Sequence, residues 1–263
     1  MMWAMKRLLT VLVAAVMLVL AVGCYQKSNN ALDLYNRGYD HGAQGDYAAA
    51  IADYTLLVEL YSDDADPAMR KEVAGALVYR GIVHSLQGDS AAEISDYMSV
   101  VESYSADADP AMREQVAKAL YNRGYAHSLQ GDHAAAIADF TSVVESYSAD
   151  ANPAIRELVA KALYNRGATH GEQGDYAAAI ADYTLVVESY SADADPAIRE
   201  WVAKALYARG YAHALQGDEA AAITDFTLLV ERYSADADPV IRVLVASALY
   251  NRGVDHRQRG DLT

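Results

Sequence analysis

The chain has 263 residues and a formal net charge of −15 at pH 7, with 36 acidic residues against 21 lysines and arginines. Because such an acidic surface repels phosphate backbones, we exclude nucleic acid as an expected partner. The single cysteine excludes an internal disulfide, so stability has to come from packing, for which a hydrophobic content of 53% is sufficient.

The N-terminal segment has the features of an export signal. Lys6 and Arg7 precede a largely apolar run over residues 8–22. As a helix, this run would span about 22 Å, which is shorter than the roughly 30 Å hydrocarbon core of a bilayer. The length therefore favours a signal peptide over residues 1–23 and disfavours a transmembrane anchor.

The only cysteine follows this segment, in Ala21-Val22-Gly23-Cys24. These residues resemble the lipobox of bacterial lipoproteins, although that motif more often has Leu, Val or Ile at the place of Ala21. The resemblance implies lipidation of Cys24, palmitate included, and anchoring to the bacterial envelope. The anchor would lie in the outer membrane, or in the outer face of the plasma membrane. The alternatives are an ordinary secretory signal with a chance cysteine, and an uncleaved anchor. The polar stretch 24–30 is predicted to be a tether.

From residue 31 onward the sequence repeats every 43 residues. The glycine of an Arg-Gly pair marks each repeat, at Gly38, Gly81, Gly124, Gly167, Gly210 and Gly253. A second glycine follows seven positions later, and all five prolines keep the same period. Such repetition is typical of a solenoid, in which each repeat covers the apolar face of its neighbour.

Each repeat is predicted to contain two antiparallel helices. In repeat four, Asn152-Pro153 offers an N-cap followed by proline at the first helical position. Apolar residues every four positions continue that helix until Gly174 ends it, and Asp175 caps the second helix. We therefore expect an all-α repeat domain over residues 31–263. It has five full repeats and a C-terminal capping helix, about 11 helices in addition to the signal helix.

The spacing of Leu120, Gly124, His127, Ala136 and Phe140 resembles the tetratricopeptide repeat (TPR) family. This resemblance implies a right-handed superhelix of helix pairs, with the first helices lining a concave groove that binds proteins or peptides. The period of 43 departs from the usual 34, which fits about two added turns before the first helix and a longer second helix. Repeat two also departs, because Glu93 stands where the other repeats have a small alanine. We expect that repeat to be the loosest.

A histidine recurs at the same place in every repeat, at His41, His84, His127, His170, His213 and His256. Adjacent repeats are separated by about 8–10 Å, too far for a shared zinc ion, so these imidazoles are interpreted as packing residues. The acidic connectors, such as Asp107-Ala108-Asp109 and Asp193-Ala194-Asp195, lack the glycine and glutamate of a calcium loop and are interpreted as solvated helix caps. Weak divalent binding stays open as an alternative. The recurrent arginines and aspartates predict ion pairs between repeats.

The inner face of the first helices is the candidate site that the family resemblance implies. It consists of Tyr35, Tyr39, Lys118, Tyr121, Tyr125, Ser128, Leu129, Lys161, Tyr164, Lys204, Tyr207, Tyr211 and Tyr250. Tyrosine combines a broad contact area with a hydroxyl, which suits an extended peptide or a partner helix. The first tyrosine of each repeat has an equally good alternative role in packing. Positions that differ between the repeats, such as Tyr39, Ile82, Tyr125, Ala168 and Tyr211, could determine partner choice.

No metalloprotease, phosphate-loop or nucleophile-elbow motif occurs in the sequence. We therefore expect a non-enzymatic scaffold without cofactor or metal, lipid-anchored in the envelope and binding a protein or peptide. The first alternative is an acidic structural or weakly cation-binding surface lipoprotein with no specific partner. An enzyme is the second.

Overall fold

The computed structural model describes residues 26–193 and 195–259. Within these ranges the chain forms helices and turns and no strand. The helices are α1 (26–43), α2 (Tyr47–Tyr61), α3 (Pro67–Gln87), α4 (Ser90–Tyr104), α5 (Pro110–Leu129), α6 (His133–Tyr147), α7 (Pro153–Glu172), α8 (Tyr176–Tyr190), α9 (Pro196–Leu215), α10 (Glu219–Tyr233) and α11 (Pro239–Gln258). The all-α prediction is confirmed. The signal segment and Cys24 lie outside the described residues.

The tether predicted over residues 24–30 is helical from residue 26 and belongs to α1. Its residues include neither glycine nor proline, so nothing in the sequence stops the helix there. The Lys27 ammonium lies 3.5 Å from the Asp64 carboxylate, which ties this first turn to the connector that follows α2.

The described residues fall into two compact units, the first ending at Val116 and the second beginning at Ala117. In the first unit α3 packs against both α2 and α4. In the second unit each helix from α6 to α11 packs against the next. The first helices of neighbouring repeats also touch there, α7 against α9 and α9 against α11. Helix pairing in sequence order is the arrangement that short connectors favour.

The helix boundaries follow the predicted capping residues. The Asp175 carboxylate accepts a hydrogen bond from the Ala178 amide at the start of α8, at 3.0 Å. Asn152 accepts from the Ala154 amide at the start of α7, which begins with Pro153. Between the two helices Gly174 has a φ of +80°, a left-handed conformation that favours glycine and reverses the chain after α7.

A glycine and an aromatic ring meet where the two helices of each full repeat cross. A Cβ atom on Gly210 of α9 would lie 2.8 Å from Cε1 of Phe226 on α10, and one on Gly81 would lie 2.6 Å from Cε1 of Tyr97. Phe226 and Tyr97 are both fully buried. The crossing therefore depends on the missing side chain, because even a methyl group would overlap the ring.

Ion pairs between arginine and aspartate recur, but those of Arg80, Arg166 and Arg209 join the two helices of one repeat, which corrects the prediction of pairs between repeats. The Arg166 guanidinium on α7 donates to both carboxylate oxygens of Asp182 on α8, at 2.9 and 2.6 Å. Its remaining amino group donates to Thr141 of the preceding repeat at 2.9 Å. Asp182 is buried, and this bidentate contact compensates its carboxylate for the lost contact with water.

A second set of ion pairs lies in the connectors. It corrects the prediction that the acidic connector residues are solvated helix caps. Asp195 caps α9 as predicted, through a 2.9 Å bond from the Ala197 amide. Asp193 is not a solvated cap, because it pairs with Arg156 of its own repeat and also accepts the Asp195 amide. Asp107 pairs with Arg70 in the same way. The acidic connectors therefore form ion pairs within their repeat as well as helix caps.

Glu93 stays buried at the crossing in repeat two. Its carboxylate is 6% exposed and hydrogen-bonds with the side chains of Ser85 and Tyr97. Burial raises the pKa of Glu93 above its ordinary value, since these bonds only partly offset the loss of water. The equivalent alanines, Ala50 and Ala179, are buried on the same helices as Tyr54 and Tyr183 and carry no such carboxylate.

We predict that Glu93→Ala stabilises repeat two at neutral pH. Because the folded-state pKa is raised, the folded protein binds more protons than the unfolded chain, and stability falls as pH rises above the ordinary value of about 4.3. The substitution should slow amide hydrogen exchange in α3 and α4. It should raise the opening free energy by about 1 kcal/mol near pH 7 and by less near pH 5. Glu102→Ala, at an exposed position of α4, is the matched control. Faster exchange in Glu93→Ala would contradict this account.

Candidate binding groove

The face formed by the first helices carries exposed aromatic and aliphatic side chains in several repeats. Tyr39, Tyr125 and Tyr211 are each about half exposed, and Leu129 and Tyr250 are 70% and 74% exposed. Exposed leucines also lie on second helices, such as Leu60 and Leu185, but these exposed tyrosines all lie on first helices. We call the residues predicted for the first helices of either unit, from Tyr35 to Tyr250, the first-helix face.

Every full repeat has a first tyrosine except repeat two, whose marker is Gly81. These tyrosines are packing residues. Tyr121 lies 5.9 Å from the ring of Phe140, and Tyr207 lies 5.8 Å from Phe226. Burial raises the pKa of Tyr121 to about 12, although a hydrogen bond from Asn165 opposes the shift. Of the two roles that the sequence allows for this tyrosine, the structure shows packing, with the hydroxyl held by the next repeat.

The first tyrosines in the other repeats have aromatic neighbours as well. Tyr35 lies 6.0 Å from Tyr54 and 5.7 Å from Tyr79. Tyr164 lies 5.5 Å from Tyr183 and 5.3 Å from Trp201. These edge-on and tilted arrangements are the favoured ones for aromatic pairs.

The lysines of the face are not free positive charges. Lys161 pairs with Glu157 at 2.7 Å, and Lys204 pairs with Glu200 at 2.6 Å, each one helical turn away. The Lys204 ammonium also lies 3.9 Å from the ring centroid of Trp201. Lys118 makes polar contacts too. The groove is therefore less basic than the sequence indicates.

Trp201 is a groove residue that sequence reasoning missed. It lies on α9, between the two lysines and against Tyr164, where the preceding repeat has Leu158. The sequence did contain a sign of it, because only this repeat has a tryptophan at this position of the 43-residue period. Tryptophan is prominent among the residues that dominate protein–protein binding energies.

A cavity of about 390 Å³ lies between α7 and α9 and above α8. Tyrosine rings form much of its wall, from Tyr164, Tyr176, Tyr183, Tyr207 and Tyr211. Small residues line the space between them, and Glu172 is its one acidic residue. The volume is within the range of small-ligand and side-chain pockets, about 300–1,000 Å³.

The recurrent histidines lie near the buried aspartates. His41 Nε2 is 3.7 Å from an Asp53 oxygen, and His213 Nε2 is 3.9 Å from an Asp225 oxygen. Among the described residues, no group of three or more His, Cys, Asp or Glu side chains is arranged to hold a metal ion. In the same part of the chain, every helix is too short or too polar to cross a bilayer.

Models of the tetratricopeptide repeat match residues 35–112, 118–149, 160–193 and 204–235. The chain belongs to the tetratricopeptide repeat family. The matches at 118 and 204 begin eight residues after Pro110 and Pro196, the starts of α5 and α9, so about two turns of each first helix precede the family motif.

Solved structures of TPR proteins share the fold at low sequence identity. A tetratricopeptide repeat protein from Parabacteroides merdae ATCC 43184 matches with a TM-score of 0.60 and 16% identity, over 89% of this chain and 77% of its own. The apo form of RapI matches with a TM-score of 0.62 and 14% identity, over 88% of this chain and 92% of its own. No curated protein sequence matches the chain.

Proposed function

We propose that this TPR protein is a non-enzymatic scaffold that binds a polypeptide on its first-helix face and is held at the bacterial envelope by lipid on Cys24. TPR repeats typically mediate protein–protein interactions. The observation that carries the proposal is the open, tyrosine-lined cavity between α7 and α9, flanked by exposed Tyr211 and Leu215. A flat or filled face would give a partner nothing to insert into.

The face has the composition of a binding surface. Tyrosine and tryptophan provide large contact areas with few torsions to order, and their polar atoms satisfy hydrogen bonds at a wet rim. An extended peptide or a partner helix could follow the groove between neighbouring first helices.

The alternative is an acidic surface protein with no specific partner, which the net charge of −15 favours. The two functions respond differently to salt and to substitution. Binding through diffuse charge weakens steeply with ionic strength, because the screening length shortens to about 8 Å at 0.15 M. Binding through buried aromatic contacts changes much less.

We predict that Tyr125→Ala and Tyr211→Ala each reduce capture of the groove partner about tenfold or more, since tyrosines are common hot spots. The full, lipid-anchored chain is crosslinked in intact cells and the captured polypeptides are quantified by mass spectrometry. Stability should change little, because both side chains are about half exposed. Leu185→Ala, equally exposed on second helix α8, is the matched control and should keep full capture. Capture that survives both tyrosine substitutions and disappears with added salt would favour the acidic alternative.

We also predict that Cys24→Ser abolishes lipid attachment and releases the protein from membranes. Two or three acyl chains bind a bilayer far more strongly than one, at about 0.8 kcal/mol per buried methylene. Incorporation of a clickable fatty acid and the intact mass of the mature chain are the measurements. Ser28→Ala serves as the control. Persistent membrane retention of the unlabelled Cys24→Ser protein would instead indicate an uncleaved anchor.

A further inference from the structure

The cavity between α7 and α9 lies where three residues depart from the repeat consensus. Ala168 stands where three other repeats have tyrosine, Gly171 where the neighbouring repeats have serine or alanine, and Ala208 where four others have asparagine. All three line the cavity. The cavity therefore arises because smaller side chains stand at these three positions than in the other repeats, while the backbone repeat is unchanged.

Two of the departures remove groups that other repeats carry. Tyr125 and Tyr211, at the positions equivalent to Ala168, carry large rings on the same face. Asn165 donates to the Tyr121 hydroxyl at 2.9 Å, and Asn251 donates to the Tyr207 hydroxyl at 3.1 Å. Alanine at 208 has no amide to offer Tyr164, whose ring forms part of the wall.

The walls of the cavity favour a positive charge. Tyrosine rings present electron-rich faces, which attract ammonium and guanidinium groups. The twelve lining residues include one carboxylate, Glu172, and no lysine or arginine. Lys161 and Lys204 lie outside the lining and are already paired with Glu157 and Glu200.

Glu172 is placed to receive such a charge. Its side chain is 59% exposed, and His133 Nδ1 lies 3.7 Å from a carboxylate oxygen, beyond hydrogen-bonding distance. A cation inside the tyrosine walls could therefore approach this carboxylate from the cavity side. The acidity of the whole chain adds a long-range attraction for cations and repels anionic side chains.

We propose that this cavity is a specificity pocket for a lysine or arginine side chain of the polypeptide bound on the first-helix face. The aliphatic stem would contact Ala168, Ala208 and Leu215, and the charged end would lie among the tyrosine rings next to Glu172. The inference rests on the proposed scaffold function and names the residue class that the groove selects. A neutral side chain would fill the same space but would bring no opposite charge to Glu172 from inside the cavity.

The test uses the full-length protein in detergent micelles, with its alanine methyl groups labelled for NMR. The probes are four short peptides of one sequence that differ only at the central residue, which is lysine, arginine, norleucine or glutamate. Norleucine keeps the stem of lysine and lacks its ammonium. The titrations are carried out at about pH 8, where unperturbed imidazoles are neutral. The methyl signals of Ala168, Ala208 and Ala212 report directly on the cavity.

We expect the lysine and arginine peptides to shift these three methyl signals and to bind about tenfold more tightly than the norleucine peptide, with the glutamate peptide weakest. Glu172→Gln should reduce the preference for lysine over norleucine to the part that the tyrosine rings supply, while the norleucine affinity stays constant. Ala168→Tyr, which restores the residue of the other repeats, should abolish the methyl shifts. Glu188→Gln, at an exposed position of α8, should change nothing.

Equal affinity for the lysine and norleucine peptides, a preference that Glu172→Gln does not reduce, or no methyl shift at about 10 mM peptide would overturn the cation pocket. In each of these cases the scaffold function stands if capture from cells still depends on Tyr211. If capture also ignores the groove tyrosines, the scaffold function fails as well.

Discussion

The close crossing of two helices in each repeat is the contact on which the rest of the structure depends. Gly210 and Phe226 show it most simply, since the ring occupies the space that a side chain on the glycine would fill. The Arg209 guanidinium closes the same crossing by donating to Asp225 and to Thr184 of the preceding repeat. Because each crossing recurs after 43 residues, each first helix meets the next one in the same way within the second unit.

A fixed scaffold of this kind separates stability from specificity. The buried crossing residues hardly differ between repeats, whereas positions on the first-helix face carry Tyr, Ile, Ala or Val. A change at such a position alters the surface and leaves the helix pair intact, because its side chain does not enter the crossing. Repeat four illustrates the point, since Ala168 and Gly171 open a cavity while Gly167 keeps its contact with Tyr183.

Much of the fold could be predicted from the sequence, because its determinants are local and repeated. Asp175, Pro153 and Gly174 mark helix ends by their own backbone chemistry, and the period repeats that evidence along the chain. The candidate site was less predictable. The exposed tyrosines follow from helix periodicity. The cavity, however, forms between Ala168 on one helix and Ala208 on another, and the distance between these two alanines is not a property of either helix alone. The pairing of Lys161 with Glu157, and of Asp193 with Arg156, likewise depends on side-chain geometry that the spacing leaves open.

The crossing contact is tested most directly by adding one methyl group to equivalent glycines. A Cβ on Gly210 would overlap Phe226, whereas one on Gly253 meets no described atom within 4 Å. Hydrogen exchange in α9, α10 and α11 of the full chain is the measurement. The account predicts that Gly210→Ala loses about 1–3 kcal/mol of opening free energy from overpacking, and that Gly253→Ala is neutral or gains up to about 1 kcal/mol from helix propensity. Equal stabilisation by both substitutions would show that the glycine is not required at the crossing and would contradict the account.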